Sequence, residues 1–229
     1  MTRQANWFAN DLDEIPRRVA EELEAAAIAP GRPLLAVDAD EVLVHFARHF
    51  GAWLESLGYA FRLTEYRLDT AIRGPRGEAL TRAEIQPLVW DFIEAETRRQ
   101  PAVDGAAETL ARLSREAQVV VVTNAPSKVR ACRVANLAGL GMDYPVVMNE
   151  GGKGRALRWL ADRAAAPVAF VDDSADQLAS VARHAAEATR LHLVGCETLR
   201  PIVGRAETAD HHVEDWRAAE ETIRRALGL

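Results

Sequence analysis

Short, continuous apolar runs alternate along this chain with longer stretches in which apolar residues recur every three or four positions. The runs cover 34–37, 119–122, 146–148, 168–171 and 191–194, and they are rich in Val, Leu and Ile. Continuous rather than alternating hydrophobicity is how strands buried on both faces of a parallel sheet read. Between most of the runs lie segments of helical composition, 105–116, 126–138, 155–163 and 175–187. Repeated strand, helix, strand predicts an α/β fold with a parallel sheet and right-handed crossovers.

The stretch from residue 38 to residue 118 breaks this rhythm, and a structureless loop of that size is improbable in a compact domain. Its pattern is helical: Val42, Phe46, His49/Phe50, Trp53 and Leu57 in "VLVHFARHFGAWLESLGY" are spaced by three and four. The turn "RGPRGEALT" follows, then Thr81 and Glu84 at capping-box spacing before "RAEIQPLVWDFIEAETRR". Pro87 inside that helix predicts a kink or a later start. The expected division is an N-terminal helical extension over 1–32, an α/β core over 33–43 and 101–229, and a small helical insertion over 44–100. The tail "VEDWRAAEETIRRALGL" reads as a final amphipathic helix.

Composition narrows the class. The 229 residues suffice for one large domain or a core with an insert, and 48% hydrophobic with 27% charged residues is ordinary for a globular protein. A net charge of -6 argues against a nucleic-acid polymer or an anionic membrane as partner. No apolar stretch approaches the roughly 20 residues of a membrane span, and the first residues lack the apolar core of a secretory signal. Cys132 and Cys196 are far apart with no CxxC. They read as reduced thiols of a cytoplasmic protein, with neither disulfide nor zinc site expected.

Ligands of parallel α/β sheets bind beyond the carboxyl ends of the strands, so the residues following each run are the candidates. They are Asp38 and Asp40 in "VDADEV", Thr123 and Asn124 in "VVVVTNAP", Lys153 in "NEGGKGRAL", and Asp172 and Asp173 in "VAFVDDSAD". Clustered carboxylates repel unless a cation lies between them or some are protonated. Oxygen donors without His or Cys suit Mg²⁺. A lysine and a hydroxyl aimed at the same space suit a phosphoryl group. One Asp could attack phosphorus, and a second could move the proton.

In order and context, these four segments resemble the four motifs of the haloacid dehalogenase (HAD) superfamily. "VDADEV" is similar to its DxDx(T/V) nucleophile loop, and the segment after it holds the position of that family's C1 cap. "VDGAAETLARL" is similar to the helix by which such chains re-enter the core. The resemblance spans about residues 33–200 and implies a Rossmann-like sheet flanked by helices. It implies Asp38 as nucleophile and Mg²⁺ ligand. Asp40 becomes the general acid/base, with its backbone carbonyl on the metal. Thr123, Asn124, Lys153 and the Glu41 amide would hold phosphoryl oxygens. Asp172 and Asp173 would complete the metal site, with Asp173 favoured as the direct ligand. Dehalogenases of the superfamily lack the second Asp of the first motif, so Asp40 favours a phosphatase acting on a small phosphorylated metabolite. A narrower likeness is to 5'(3')-deoxyribonucleotidases, through "DxDxVL", the paired acids and a Trp-containing tail. A nucleotide base would then find Phe46, Trp53, Tyr59, Phe61, Tyr66, Trp90 or Phe92 in the cap.

Plainer readings stand beside these. Asp38 and Asp40 could be a helix cap and a surface acid, Thr123 a strand-end cap, and Lys153 a solvated turn residue. "GGKG" is not a Walker A loop, since no Ser or Thr follows the lysine. Asp176 reads equally as a ligand neighbour or as an acid at a helix N-terminus. The cap aromatics read first as core, Arg73 and Arg76 as a solvated loop, His211 and His212 as surface residues, and Cys132 as packing. Glu41 departs from the family pattern, where many relatives carry Gly. Its side chain is expected to turn toward the cap, leaving only the amide to matter. The alternative is an unusual substrate or a lost activity, as in a binding or regulatory protein or a phosphotransferase.

Overall fold

The computed structural model describes residues 11–64 and 68–229. A six-stranded, wholly parallel sheet forms its centre, in the order β5-β4-β1-β6-β7-β8. The strands are β1 (Leu34–Val37), β4 (Gln118–Thr123), β5 (Val146–Met148), β6 (Val168–Asp172), β7 (Thr189–Leu193) and β8 (His211–Val213). The five apolar runs are all strands, displaced by no more than two residues at either end. β8 was not foreseen: "HHV" is short and polar, as suits an edge strand with one neighbour.

Alternate residues of the central strands feed two apolar layers. Leu35, Val37, Val121 and Val171 face α5 (Ala106–Leu113), α6 (Arg130–Gly139) and α10 (Trp216–Leu227). Leu34, Ala36, Val120 and Phe170 face α1 (Arg17–Ala25), α7 (Gly154–Ala164) and α8 (Ala175–His184). α1 sends Val19 and Leu23 into the second layer. Its Glu22 carboxylate also accepts the Met148 amide at 2.6 Å, covering part of the open edge of β5.

Between β1 and β4 the chain builds on a separate apolar cluster. It contains α2 (Ala47–Ser56), the two-residue strands β2 (Ala60–Phe61) and β3 (Ile72–Arg73), α3 (Leu68–Ala71) and α4 (Arg82–Glu96). Phe50, Leu54, Ile72, Ile85 and Phe92 form its centre. The insertion is mainly helical, and two short strands add to it: β2 and β3 pair antiparallel. One expectation is corrected here. "VLVHF" does not begin a helix: residues 42–44 form a fully buried turn, and α2 starts at Ala47. Val42, Leu43 and Val44 are apolar because they sit in the core, not because they lie on a helix face. Pro87 does not shift α4, whose start is set by Thr81 donating its amide (2.8 Å) and hydroxyl (2.7 Å) to Glu84. The short helix α9 (Arg200–Val203) follows β7.

Candidate active site

The carboxyl ends of β1, β4 and β6 lie side by side, since Val37 is in register with Val121 on one side and Val171 on the other. Asp38 follows Val37, Thr123 ends β4, and Asp172 ends β6 with Asp173 next to it. Carboxylate oxygens of Asp38, Asp172 and Asp173 lie within 4.8 Å of one another, and all three residues are buried. Lys153, at the start of α7, inserts its ammonium between two of them, 2.5 Å from Asp38 Oδ1 and 2.7 Å from Asp172 Oδ2. The lysine is 1% exposed, which rules out a solvated turn residue.

The charges do not balance, with three acids facing one ammonium. Burial pushes the Asp38 carboxyl up to about 7; Lys153 opposes the shift, while Asp172 and Asp40 reinforce it. Asp173 is driven further from its ordinary range, by burial and by the charges of Asp172, Asp38 and Glu41. Burial alone would lower Lys153, but the carboxylates of Asp172 and Asp38 outweigh it and hold the ammonium above its usual value. The two acids of the last motif differ in their bonding. Both oxygens of Asp172 are engaged, one on Lys153 and the other accepting the Ser174 amide at 2.8 Å. Asp173 has no side-chain hydrogen bond among the described residues. An oxygen-only pocket with surplus negative charge fits a hard cation. The Thr123 hydroxyl, buried without a partner, fits an acceptor brought by a ligand.

Two other sequence candidates, Asn124 and Asp40, have different posts. Asn124 donates to Gly151 O (2.7 Å) and accepts from Asn149 (2.9 Å), so its side chain braces the loop that carries Lys153. Gln177 from α8 holds the same loop, accepting the Lys153 amide at 2.8 Å and donating to Gly151 O. The carboxylate of Asp40 is not part of the trio, and its Oδ1 accepts from Arg133 (2.7 Å) and Gln100 (3.0 Å).

Glu41 is buried at φ +61°, in the left-handed region that favours glycine. Its Oε1 accepts the amides of Phe46 (2.9 Å) and Ala47 (2.5 Å), capping α2. Its own amide donates to Val44 O at 2.7 Å, which commits to the turn the very group expected to meet a phosphoryl oxygen. Its carbonyl accepts Gly195 N at 2.5 Å, an approach a Cβ at 195 would obstruct. Burial pushes its carboxyl up to about 7 against the pull of the two amides.

Sequence reasoning missed Arg133, Gln100, Gln177 and the positioning role of Trp216, whose indole donates to Val42 O at 2.8 Å behind the Asp40 turn. Arg133 left a signal, because it shares the buried face of α6 with Val129, Asn136 and Leu137. His212 is corrected from a plain surface residue: it is half-buried, and its Nδ1 lies 3.2 Å from His192 Nδ1. His192 in turn contacts Asp173 O at 2.9 Å. Asp176 is exposed in the first turn of α8, and Arg73, Arg76 and His211 are exposed. Phe46, Phe50, Trp53, Phe61 and Phe92 pack on one another, with ring centroids 5.0–6.1 Å apart. Tyr66 lies outside the described residues. Cys132 and Cys196 are free thiols. Among the described residues no helix is long and apolar enough to cross a membrane.

No family model matches the chain, and neither does any curated protein. Solved structures do. A HAD family hydrolase from Deinococcus radiodurans R1, with bound phosphate and sodium, superposes with a TM-score of 0.57 at 18% identity, covering 86% of this chain and 97% of its own. A conserved haloacid dehalogenase-like protein of unknown function from Agrobacterium tumefaciens gives 0.57 at 15% identity, over 85% and 99%. A predicted phosphoglycolate phosphatase from Haemophilus somnus gives 0.55 at 16% identity, over 82% and 96%. Each of these superpositions takes in more than four fifths of the chain, and the chain has the fold of the haloacid dehalogenase-like hydrolases.

Proposed function

We propose that this protein is a Mg²⁺-dependent phosphatase that hydrolyses a small phosphomonoester through an aspartyl-phosphate intermediate. One observation carries the reading: a buried lysine spans the first and last acidic motifs, in a pocket with surplus carboxylate charge and a buried Thr123 hydroxyl that has no partner among the described residues. Asp38, Asp173 and the Asp40 carbonyl would hold the cation, with Asp172 behind them. A Mg²⁺ held by these residues would supply charge neutralisation for the transferring phosphoryl group.

The chain's own residues divide the rest of the chemistry. Lys153 aligns Asp38 by its Oδ1 and leaves the other oxygen for attack on phosphorus. The Lys153 charge and the Thr123 hydroxyl meet phosphoryl oxygens. Asp40 gives a proton to the leaving oxygen and later takes one from the attacking water. The insertion would cover the site, selecting the substrate and excluding bulk water.

Asp38→Asn is expected to abolish turnover of p-nitrophenyl phosphate; wild-type activity in that variant would remove Asp38 as nucleophile. The nucleotidase reading gains little from cap aromatics that pack on each other. A panel of nucleoside monophosphates against sugar phosphates decides it, and equal rates on both classes would discard it. The binding-protein reading is weakened on one count, since Glu41 Oε1 is engaged at α2, while the charge of Glu41 still acts on Asp173; uptake of Mg²⁺ in calorimetry with no turnover of any phosphate ester would favour it.

A further inference from the structure

Asp40 is held from one side. Its Oδ1 accepts from Arg133 Nη2 and Gln100 Nε2, while no protein group reaches Oδ2 among the described residues and the side chain keeps 28% of its exposure. Both donors are buried, Arg133 at 1% and Gln100 at 2% exposure. A guanidinium has no acceptor, and the amide nitrogen of Gln only donates. An oxygen facing two donors has no place for a proton of its own, so any proton on Asp40 resides on Oδ2.

We infer that Arg133 and Gln100 are positioning residues that make Asp40 a one-sided acid/base, with Oδ1 as the anchor and Oδ2 as the oxygen that exchanges the proton. The inference rests on the phosphatase reading above. In the first half-reaction an Asp38 oxygen bonds to phosphorus and the ester P–O bond breaks. The leaving oxygen keeps that electron pair and takes the proton from Asp40 Oδ2. In the second, water oxygen bonds to phosphorus and its proton goes to Oδ2. The Asp38–phosphorus bond then breaks, releasing phosphate and restoring both side chains.

The anchor is built from two parts of the chain. Arg133 comes from α6 and Gln100 from the segment returning from the insertion. Asn136, one turn after Arg133, donates to Gln100 O at 2.8 Å and to Arg98 O at 3.2 Å. Arg133 Nε and Nη1, Gln100 Oε1 and Asn136 Oδ1 remain buried without protein partners. Unpartnered buried polar groups cost stability, and an apolar residue at 133 would remove much of that cost. What Arg133 holds explains why an arginine stands there.

A proton donor matters for a poor leaving group and little for a good one. The test compares kcat/KM, which reports the steps through departure of the leaving group, for phenyl phosphate and p-nitrophenyl phosphate with Mg²⁺. Arg133→Met and Asp40→Asn are expected to lower the phenyl ester roughly 100-fold and the p-nitrophenyl ester less than roughly 5-fold. Gln100→Leu moves the same ratio by a smaller factor, and Arg133→Lys restores part of it. Equal losses on both esters, or wild-type values for both Arg133→Met and Gln100→Leu, would overturn the assignment. If Arg133→Met does not fold, the ratio in Gln100→Leu decides alone. A wild-type protein that cleaves neither ester defeats the phosphatase reading itself, and this inference with it.

Discussion

Lys153 is the residue on which the site's electrostatics turn. Replacing it with Met leaves Asp38 and Asp172 facing each other in a buried pocket without their ammonium. Removing one partner of a buried pair costs about 3–5 kcal/mol. Urea unfolding of Lys153→Met in chelator should show a loss of that size, together with loss of phosphatase activity; an unchanged midpoint would mean the pair contributes nothing to the fold. Glu41 gives a sharper comparison, because two effects separate there. Its φ of +61° is strained for any residue with a Cβ, and its carboxylate caps α2. Glu41→Ala and Glu41→Gly both lose the cap, yet only Gly relieves the strain. Glu41→Gly is therefore expected to be more stable than Glu41→Ala by about 1 kcal/mol in chemical denaturation. The reverse order would show that the backbone here is not strained.

At the scale of elements, the strand ends are held by helices distant in sequence. α10 is tied to the turn after Asp40 by a single indole bond, Trp216 Nε1 to Val42 O. Trp216→Phe keeps much of the packing but leaves a buried carbonyl unpaired, a penalty of about 1–3 kcal/mol. Thermal unfolding should register it, and faster hydrogen exchange is expected at Val44 and Glu41, whose amides close that turn. The core elements were legible because strands buried on both faces must be continuously apolar, and 34–37 or 168–171 cannot be mistaken for solvated segments. The insertion was less legible. A pattern such as 42–46 is equally apolar on a helix face or in a buried turn, and only the contacts with Ala102 and Trp216 separate the two. β2 and β3 are two residues long and carry no periodicity at all.

For the whole molecule, the surplus of buried acid sets the pH dependence. Asp38 and Glu41 are held up at about 7 in the folded protein, and Asp173 is raised as well. In the unfolded chain these groups ionise near 4. Across the window between, the folded state retains protons that the unfolded state has released, so stability falls as pH rises from about 4 toward 7. Asp11 is shifted the opposite way by its contacts with Ser180 and Arg183 despite some burial, and its contribution is lost as pH falls through the acid range. Metal-free protein is thus expected to melt at a higher temperature near pH 5 than near pH 8, with millimolar Mg²⁺ raising the melting point most at the alkaline end. A flat profile in chelator would show that the trio does not carry the charge surplus assigned to it.

The sequence by itself determined five of the six strands, the place of the insertion, and the delivery of Asp38, Thr123, Lys153, Asp172 and Asp173 to one edge of the sheet, because parallel strands carry whatever follows them to the same end. Only the tertiary structure decided how each of those groups is held. It turned Asn124 to the lysine loop and Glu41 to α2, fixed Asp40 by Oδ1, and placed Arg133 and Gln100 beside it. The physical reason is range. Periodicity and strand order are local or topological and survive in one dimension. A hydrogen bond between residues 60 or 93 positions apart depends on distances that only the packed core defines.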